Sequence, residues 1–378
     1  MSDHLRWLPT TRNSMQRVGF LYLVCKAASL NPTTSNAISR KFYASVTRKV
    51  KVEWSEYAPY FARHKLLSQR YKGNKAPTEI EYQDVLLGDP SIPSSSGAVT
   101  EKAYSDLIDE AVYWRLIRDK NYTLTGRGSS MILIWERDGA PTNPLILSTE
   151  AKIASSFWYL DVDGDALRSG YGNLRASNFS REQLGYALAD GIDQILKGRR
   201  PAFVSERALF RRLRELAMSI RTQEGTTVGS GRARFQASTA RAEHLVDLGW
   251  LAKNTSEQCP YYVKPSGLPR IIPQNLDKFL DFGFAKAISE TLDLHSVSAS
   301  DDERWELFLG AYRILRNSLG YASYREALVM AQATGLAGRR LAELADIENT
   351  VKKRNSSEKI RFAIGRDGRP DNVKVDNA

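Results

Sequence analysis

A mainly helical α+β fold, with its strands confined to short hairpins, is what the sequence predicts, and three observations carry it. Apolar residues recur at spacings of three and four over much of the chain, as one buried helix face requires. Alternating apolar and polar stretches are short and flank turn-forming residues. Such pairs follow directly on helical runs, and they do so more than once.

Turn-forming residues divide the chain. LGDPSIPSSSG (Leu87 to Gly97), QEGTTVGSGR (Gln223 to Arg232) and LHSVSASDDE (Leu294 to Glu303) interrupt the periodic runs. The expected units are 1–90, 91–175, 176–295 and 296–378. The first is a basic helical region. Met1 to Lys75 holds 14 Lys plus Arg against 3 Asp plus Glu, whereas the whole chain holds 54 against 43, so the remainder carries 40 of each sign. All of the +11 formal charge therefore belongs to the N-terminal fifth. Within it RKFYASVTRKVKVEW interleaves Arg40, Lys41, Arg48, Lys49 and Lys51 with aromatics, a pattern suited to phosphate contact because neutralised phosphates release counterions.

In the second unit VTEKAYSDLIDEAVYWRLI places Ala103, Leu107, Ala111 and Trp114 on one helical face. NYTLTGRG follows, then MILIWERDGAP, which reads as β-like with Asp138-Gly139 as its turn. The glycine-rich GRGSS piece reads as a turn. Ser148 is a good N-cap for a helix continued by Ile153, Phe157 and Leu160. DVDGD (Asp161 to Asp165) is expected to end that helix as a turn. A calcium loop counted from Asp161 would need glycine at its sixth position and glutamate at its twelfth, where Ala166 and Gly172 stand.

The third unit has a helix in SERALFRRLREL and another in ARFQASTARAEHLVDLG, where Ser238, Ala242, Leu245 and Leu248 share a face and Arg232, Arg234 and Arg241 are expected to point outward. Gly249 fits a left-handed helix end, and WLAKN with YYVKP forms two strands around a polar tip. In the fourth unit, helices in RWELFLGAYRILRNSLG, in YREALVMAQATG (closed by Gly335) and in GRRLAELADIENTVKKR precede KIRFAIGRDGRPDNVKV, which alternates on both sides of Gly365 to Asp371 as a hairpin does.

Helices, then a helix end of the HLVDLGWL type, then two strands and a turn such as KPSG resemble the winged helix-turn-helix superfamily. The resemblance implies that Ala233 to Leu248 is a recognition helix and Trp250 to Lys264 its wing. The second and fourth units echo the order, which makes tandem winged helix-turn-helix domains the expected architecture and double-stranded DNA the expected partner. It implies further that Arg232, Arg234, Gln236 and Arg241 stand near a groove and Arg366 and Arg369 at a wing tip. The balanced charge beyond residue 76 supports an alternative, a winged-helix scaffold subunit holding protein partners in a prokaryotic DNA-processing or defence complex.

Other chemistry finds little support. Asp138, Glu150 and Lys152 match the spacing of a metal-dependent nuclease core, but the Ser148 cap puts Glu150 on a helix. Cys25 and Cys259 lack CxxC spacing, and His4, His64, His244 and His295 are scattered, so neither a disulfide framework nor a metal site is expected. There is no GxxxxGK[ST] phosphate loop and no GxSxG elbow, hence no catalytic residue and no cofactor to nominate. The expectation is a cytoplasmic protein with no membrane segment, since no apolar run approaches the length of a span.

Overall fold

The computed structural model describes residues 5–8, 18–29, 108–119, 121–139, 146–174, 177–198, 201, 204–221, 236–253, 261–263, 267–365 and 368–376. It divides into two compact units, Arg17–Ile146 and a larger one formed by Met1–Gln16 with Leu147–Ala378. The cuts expected at 175 and 295 therefore fall inside one unit.

In the smaller unit helix α1 (Gly19–Ala28) packs against α2 (Gly126–Trp135). Tyr22 stacks on Trp135 with centroids 6.0 Å apart, and Lys26 Nζ lies 2.7 Å from Glu136. Residues 108–113 are helical, and an isolated bridge joins Ile117 to Leu124. Two sequence expectations are corrected here. GRGSS opens α2 instead of forming a free turn, because Thr125 caps the helix by accepting from Gly128 N. MILIW lies within the same helix and is not β-like. Met131, Ile134 and Trp135 are buried at helical spacing, a pattern that a run of five apolar residues cannot distinguish from a strand. Gly128 is needed where α2 meets the preceding turn, since a Cβ there would stand 2.1 Å from the Leu116 carbonyl oxygen.

The larger unit is built in two halves. The first runs α3 (Thr149–Gly172), β1 (Asn178–Phe179), α4 (Arg181–Gly198), α5 (Val204–Arg221), α6 (Gln236–Asp247), β2 (Leu251–Lys253) and β3 (Tyr261–Val263). Ser148 caps α3 as expected, accepting from Ala151 N at 3.2 Å. DVDGD does not end α3 but lies within it. Its three carboxylates are buried, and Asp163 is held by Arg241 and by the N–H of Leu8. Tertiary partners thus offset a helix propensity that alone favours a turn. The hairpin β2–β3 is antiparallel, and β1 adds to its far side to give the order β1-β3-β2. At the helix-to-hairpin junction Gly249 adopts φ +78°, the left-handed C′ conformation expected of it.

Three short helices, α7 (Leu268–Ile271), α8 (Leu276–Phe282) and α9 (Phe284–Thr291), lead to the second half. There β4 (Val297–Ser298) precedes α10 (Asp301–Leu315), β5 (Ala322–Ser323), α11 (Tyr324–Ala337), β6 (Arg340–Leu341), α12 (Leu344–Glu358), β7 (Ile360–Ile364) and β8 (Pro370–Val375). A capping box between Ser300 and Glu303 starts α10. Helix α11 passes through Gly335 and ends at Ala337, with Gly338 as C-cap. Gly335 instead permits close packing, since a Cβ there would lie 2.9 Å from Leu307 Cδ1. Strands β4 and β6 pair in parallel, while β5, β8 and β7 form an antiparallel sheet in the order β5-β8-β7. Helices α3 and α11 join the halves, with the Trp158 indole donating to Glu326 at 2.9 Å in the buried interior.

Candidate nucleic-acid interface

Each half of the larger unit carries a helix immediately before a hairpin, α6 in the first and α12 in the second. Helix α6 is largely enclosed from Ala240 to Asp247. Ala240, Arg241, Ala242, Glu243, His244, Leu245 and Asp247 are all buried. Its polar side chains find partners inside the protein. Arg241 Nε reaches Asp163 Oδ2 at 2.7 Å, Tyr261 donates to Glu243 at 2.7 Å, and His244 Nδ1 lies 3.4 Å from the Tyr159 hydroxyl.

The expected outward position of Arg241 is therefore corrected: the side chain is 1% exposed. A guanidinium can be buried at this depth only because a carboxylate and a backbone carbonyl satisfy its donors. The partners are Asp163 and the Leu8 carbonyl, the latter at 3.1 Å.

Helix α12 is half-buried along a single stripe. Leu344, Ala345, Ile347, Thr350 and Val351 face the core, while Asn349, Lys352, Lys353, Asn355, Ser356 and Ser357 are exposed. Lys359 ends the helix at φ +52° and delivers the chain into β7. The hairpin buries Ile360, Val373 and Val375 and leaves Ile364 60% exposed near its tip. The tip closes through Gly365 N to Arg369 O at 2.7 Å and Gly368 N to Gly365 O at 3.1 Å, with Gly368 at φ +80°.

Acidic residues at the start of α10 border this surface. Asp301 meets Lys353 at 3.0 Å, Asp302 pairs with Arg354, and Glu303 meets Arg340 at 3.0 Å. The Lys353 ammonium holds the Asp301 carboxyl below its ordinary range, and the Ser300 N–H does the same for Glu303. Further pairs join Lys352 to Glu348 at 2.9 Å and Arg361 to Asp376 at 2.7 Å. These are surface pairs of small net stability.

Of the residues nominated from sequence, Arg369 is exposed at the hairpin tip. Gln236 opens α6, with its side chain outside the described set. Arg40, Lys41, Arg48, Lys49, Lys51, Arg232, Arg234 and Arg366 lie outside the described residues. Glu150 and Lys152 stand in the first turn of α3, on a helix and not on a strand of a nuclease core. Among the described residues no group of three His, Cys, Asp or Glu side chains is arranged to hold a metal ion, and no helix is long and apolar enough to cross a membrane. Sequence reasoning did not nominate Asn349, Lys352, Lys353 or Asn355. The available signal was the basic run VKKRN late in the third helix of the last unit, directly before the hairpin.

No known family profile, curated protein or solved structure matches the chain.

Proposed function

We propose that both halves of the larger unit are winged helix-turn-helix modules and that the second binds double-stranded DNA, with α12 at the major groove and the β7–β8 hairpin as its wing. The observation that carries this reading is the exposed side of α12, where Asn349 stands one turn from Lys352 and Lys353 and Lys352 one turn from Asn355, on the helix that leads into a hairpin whose tip bears Arg369. Lysine ammoniums would neutralise phosphates, and asparagine amides have the donor and acceptor pair that an adenine edge presents in complement. The basic N-terminal region would add sequence-independent contacts.

The test is a titration with duplex DNA at several salt concentrations. Wild-type protein should bind with an affinity that falls with salt, and Lys352→Ala with Lys353→Ala should lower the log–log slope by roughly 2. Unchanged affinity and slope would remove α12 from the interface. The burial of α6 favours a second reading, in which the modules hold protein partners as a scaffold subunit of a DNA-processing or defence complex. Absence of duplex binding at low salt would favour that reading.

A further inference from the structure

The DVDGD run of α3 has no place in DNA binding, yet its carboxylates meet the most distant segment of the larger unit. Residues 5–8, Leu-Arg-Trp-Leu, lie against α3 and α6. The Arg6 N–H donates to Asp165 Oδ2 at 2.8 Å, and the Arg6 carbonyl accepts from Asp165 N at 3.1 Å. Two residues on, the Leu8 N–H donates to Asp163 Oδ1 at 2.8 Å, and the Leu8 carbonyl accepts from Arg241 Nη2 at 3.1 Å. Between them Trp7, 3% exposed, lies beneath the Arg241 guanidinium, 5.7 Å from the ring centroid. Arg6 also pairs with Asp277.

One backbone edge of the segment, the N–H and carbonyl of Arg6 and of Leu8, is thus satisfied by side chains and a helix N–H, with no strand pairing. Residues i and i+2 of an extended chain present their N–H groups to the same side, which is the pattern that Asp163 and Asp165 accept. Arg241 adds a donor for the second carbonyl and a cation over the intervening aromatic ring. This is the chemistry of an extended-peptide receptor: backbone donors and acceptors fix register, and one aromatic and one aliphatic side chain add buried area.

We propose that Asp163, Asp165 and Arg241 form a peptide-binding clasp for an extended Arg-Trp-Leu segment, and that residues 5–8 are its ligand in cis, released and recaptured without unfolding of the larger unit. The proposal does not depend on DNA binding. A ligand held in cis competes as an intramolecular one whatever the protein concentration, so the clasp of the wild-type chain is closed to weakly binding competitors. Because the Leu8 N–H is spent on Asp163, proline at that position is incompatible with capture.

Two measurements on the full chain test the proposal. In hydrogen exchange, the Arg6 and Leu8 amides should open at least tenfold more often than the Phe157 and Trp158 amides of α3; equal opening would make the strap an ordinary part of the core and overturn the proposal. In the second, a labelled peptide with the sequence of residues 3–10, DHLRWLPT, is titrated into wild type and into a Trp7→Ala, Leu8→Ala variant shown by circular dichroism to be folded. The variant should bind at least tenfold more tightly than wild type, and proline at the Leu8 position of the peptide should reduce that binding at least tenfold. Binding of neither peptide, or equal binding of both, would overturn the proposal. If the variant does not fold, the exchange result on wild type decides.

Discussion

The two halves of the larger unit share one element order and treat its key helix oppositely. In each, a two-residue strand follows the first helix and pairs with the second strand of a hairpin that comes much later in sequence. In each, the helix before the hairpin ends on a residue with positive φ, Gly249 at +78° and Lys359 at +52°. Yet α6 turns its arginine, glutamate and histidine into the protein, while α12 turns its lysines and asparagines to solvent. The difference teaches that element order does not set which surface is available. Of the two helices that precede a hairpin, α6 spends its described polar side chains on internal hydrogen bonds and α12 keeps a polar face toward solvent.

The largest test of this contrast is charge removal. Arg241→Ala leaves Asp163 buried without its guanidinium and should cost about 3–5 kcal/mol, whereas Lys352→Ala should change stability by no more than about 0.5 kcal/mol. Urea denaturation midpoints measure both, and similar values would erase the distinction. A smaller effect is expected at the junctions. Gly249→Ala meets a left-handed backbone and the Leu292 side chain, 2.9 Å from the new Cβ, and should cost about 1–2 kcal/mol. Lys359→Gly relieves a left-handed lysine and should stabilise by up to about 1 kcal/mol; destabilisation by the latter would mean that the Lys359 side chain contributes more than its backbone costs.

The smallest effect concerns pH. Asp301 and Glu303 have carboxyls held below their ordinary values, by Lys353 and by the Ser300 N–H. A depressed folded value means that the unfolded chain takes up protons first, so this contribution is present above the ordinary carboxylate range and is lost as pH falls through the folded values. Carboxyl carbon shifts followed by NMR should show both residues titrating below their ordinary side-chain values, and Lys353→Ala should raise the Asp301 midpoint while leaving that of Glu303 in place.

Legibility in the sequence followed the locality of the forces. Ser148 and Gly249 act on their own backbone turns, and each is recognisable in the sequence as a cap or a helix end. The hairpins were legible because turn residues and alternation lie within a few positions of one another. DVDGD and Arg241 were misread because what decides them is distant: Leu8 is 155 residues from Asp163, and 233 from Arg241. Local propensity makes a turn of the first and a solvated cation of the second. MILIW failed for another reason, since five apolar residues fit either period. At the candidate interface the third helix of the last half is legible from its periodicity, but nothing local in VKKRN marks Lys352 and Lys353 as other than a solvated helix face.

The separation between strap and clasp also has a consequence for synthesis. A chain made from its N-terminus at about 5–20 residues per second exposes Trp7 and Leu8 for on the order of ten seconds to a minute before Arg241 has been added. Until then an aromatic-aliphatic pair has no pocket of its own. Residues 5–8 are thus made well before the helices that hold them, and their docking reports that α3 and α6 have already assembled.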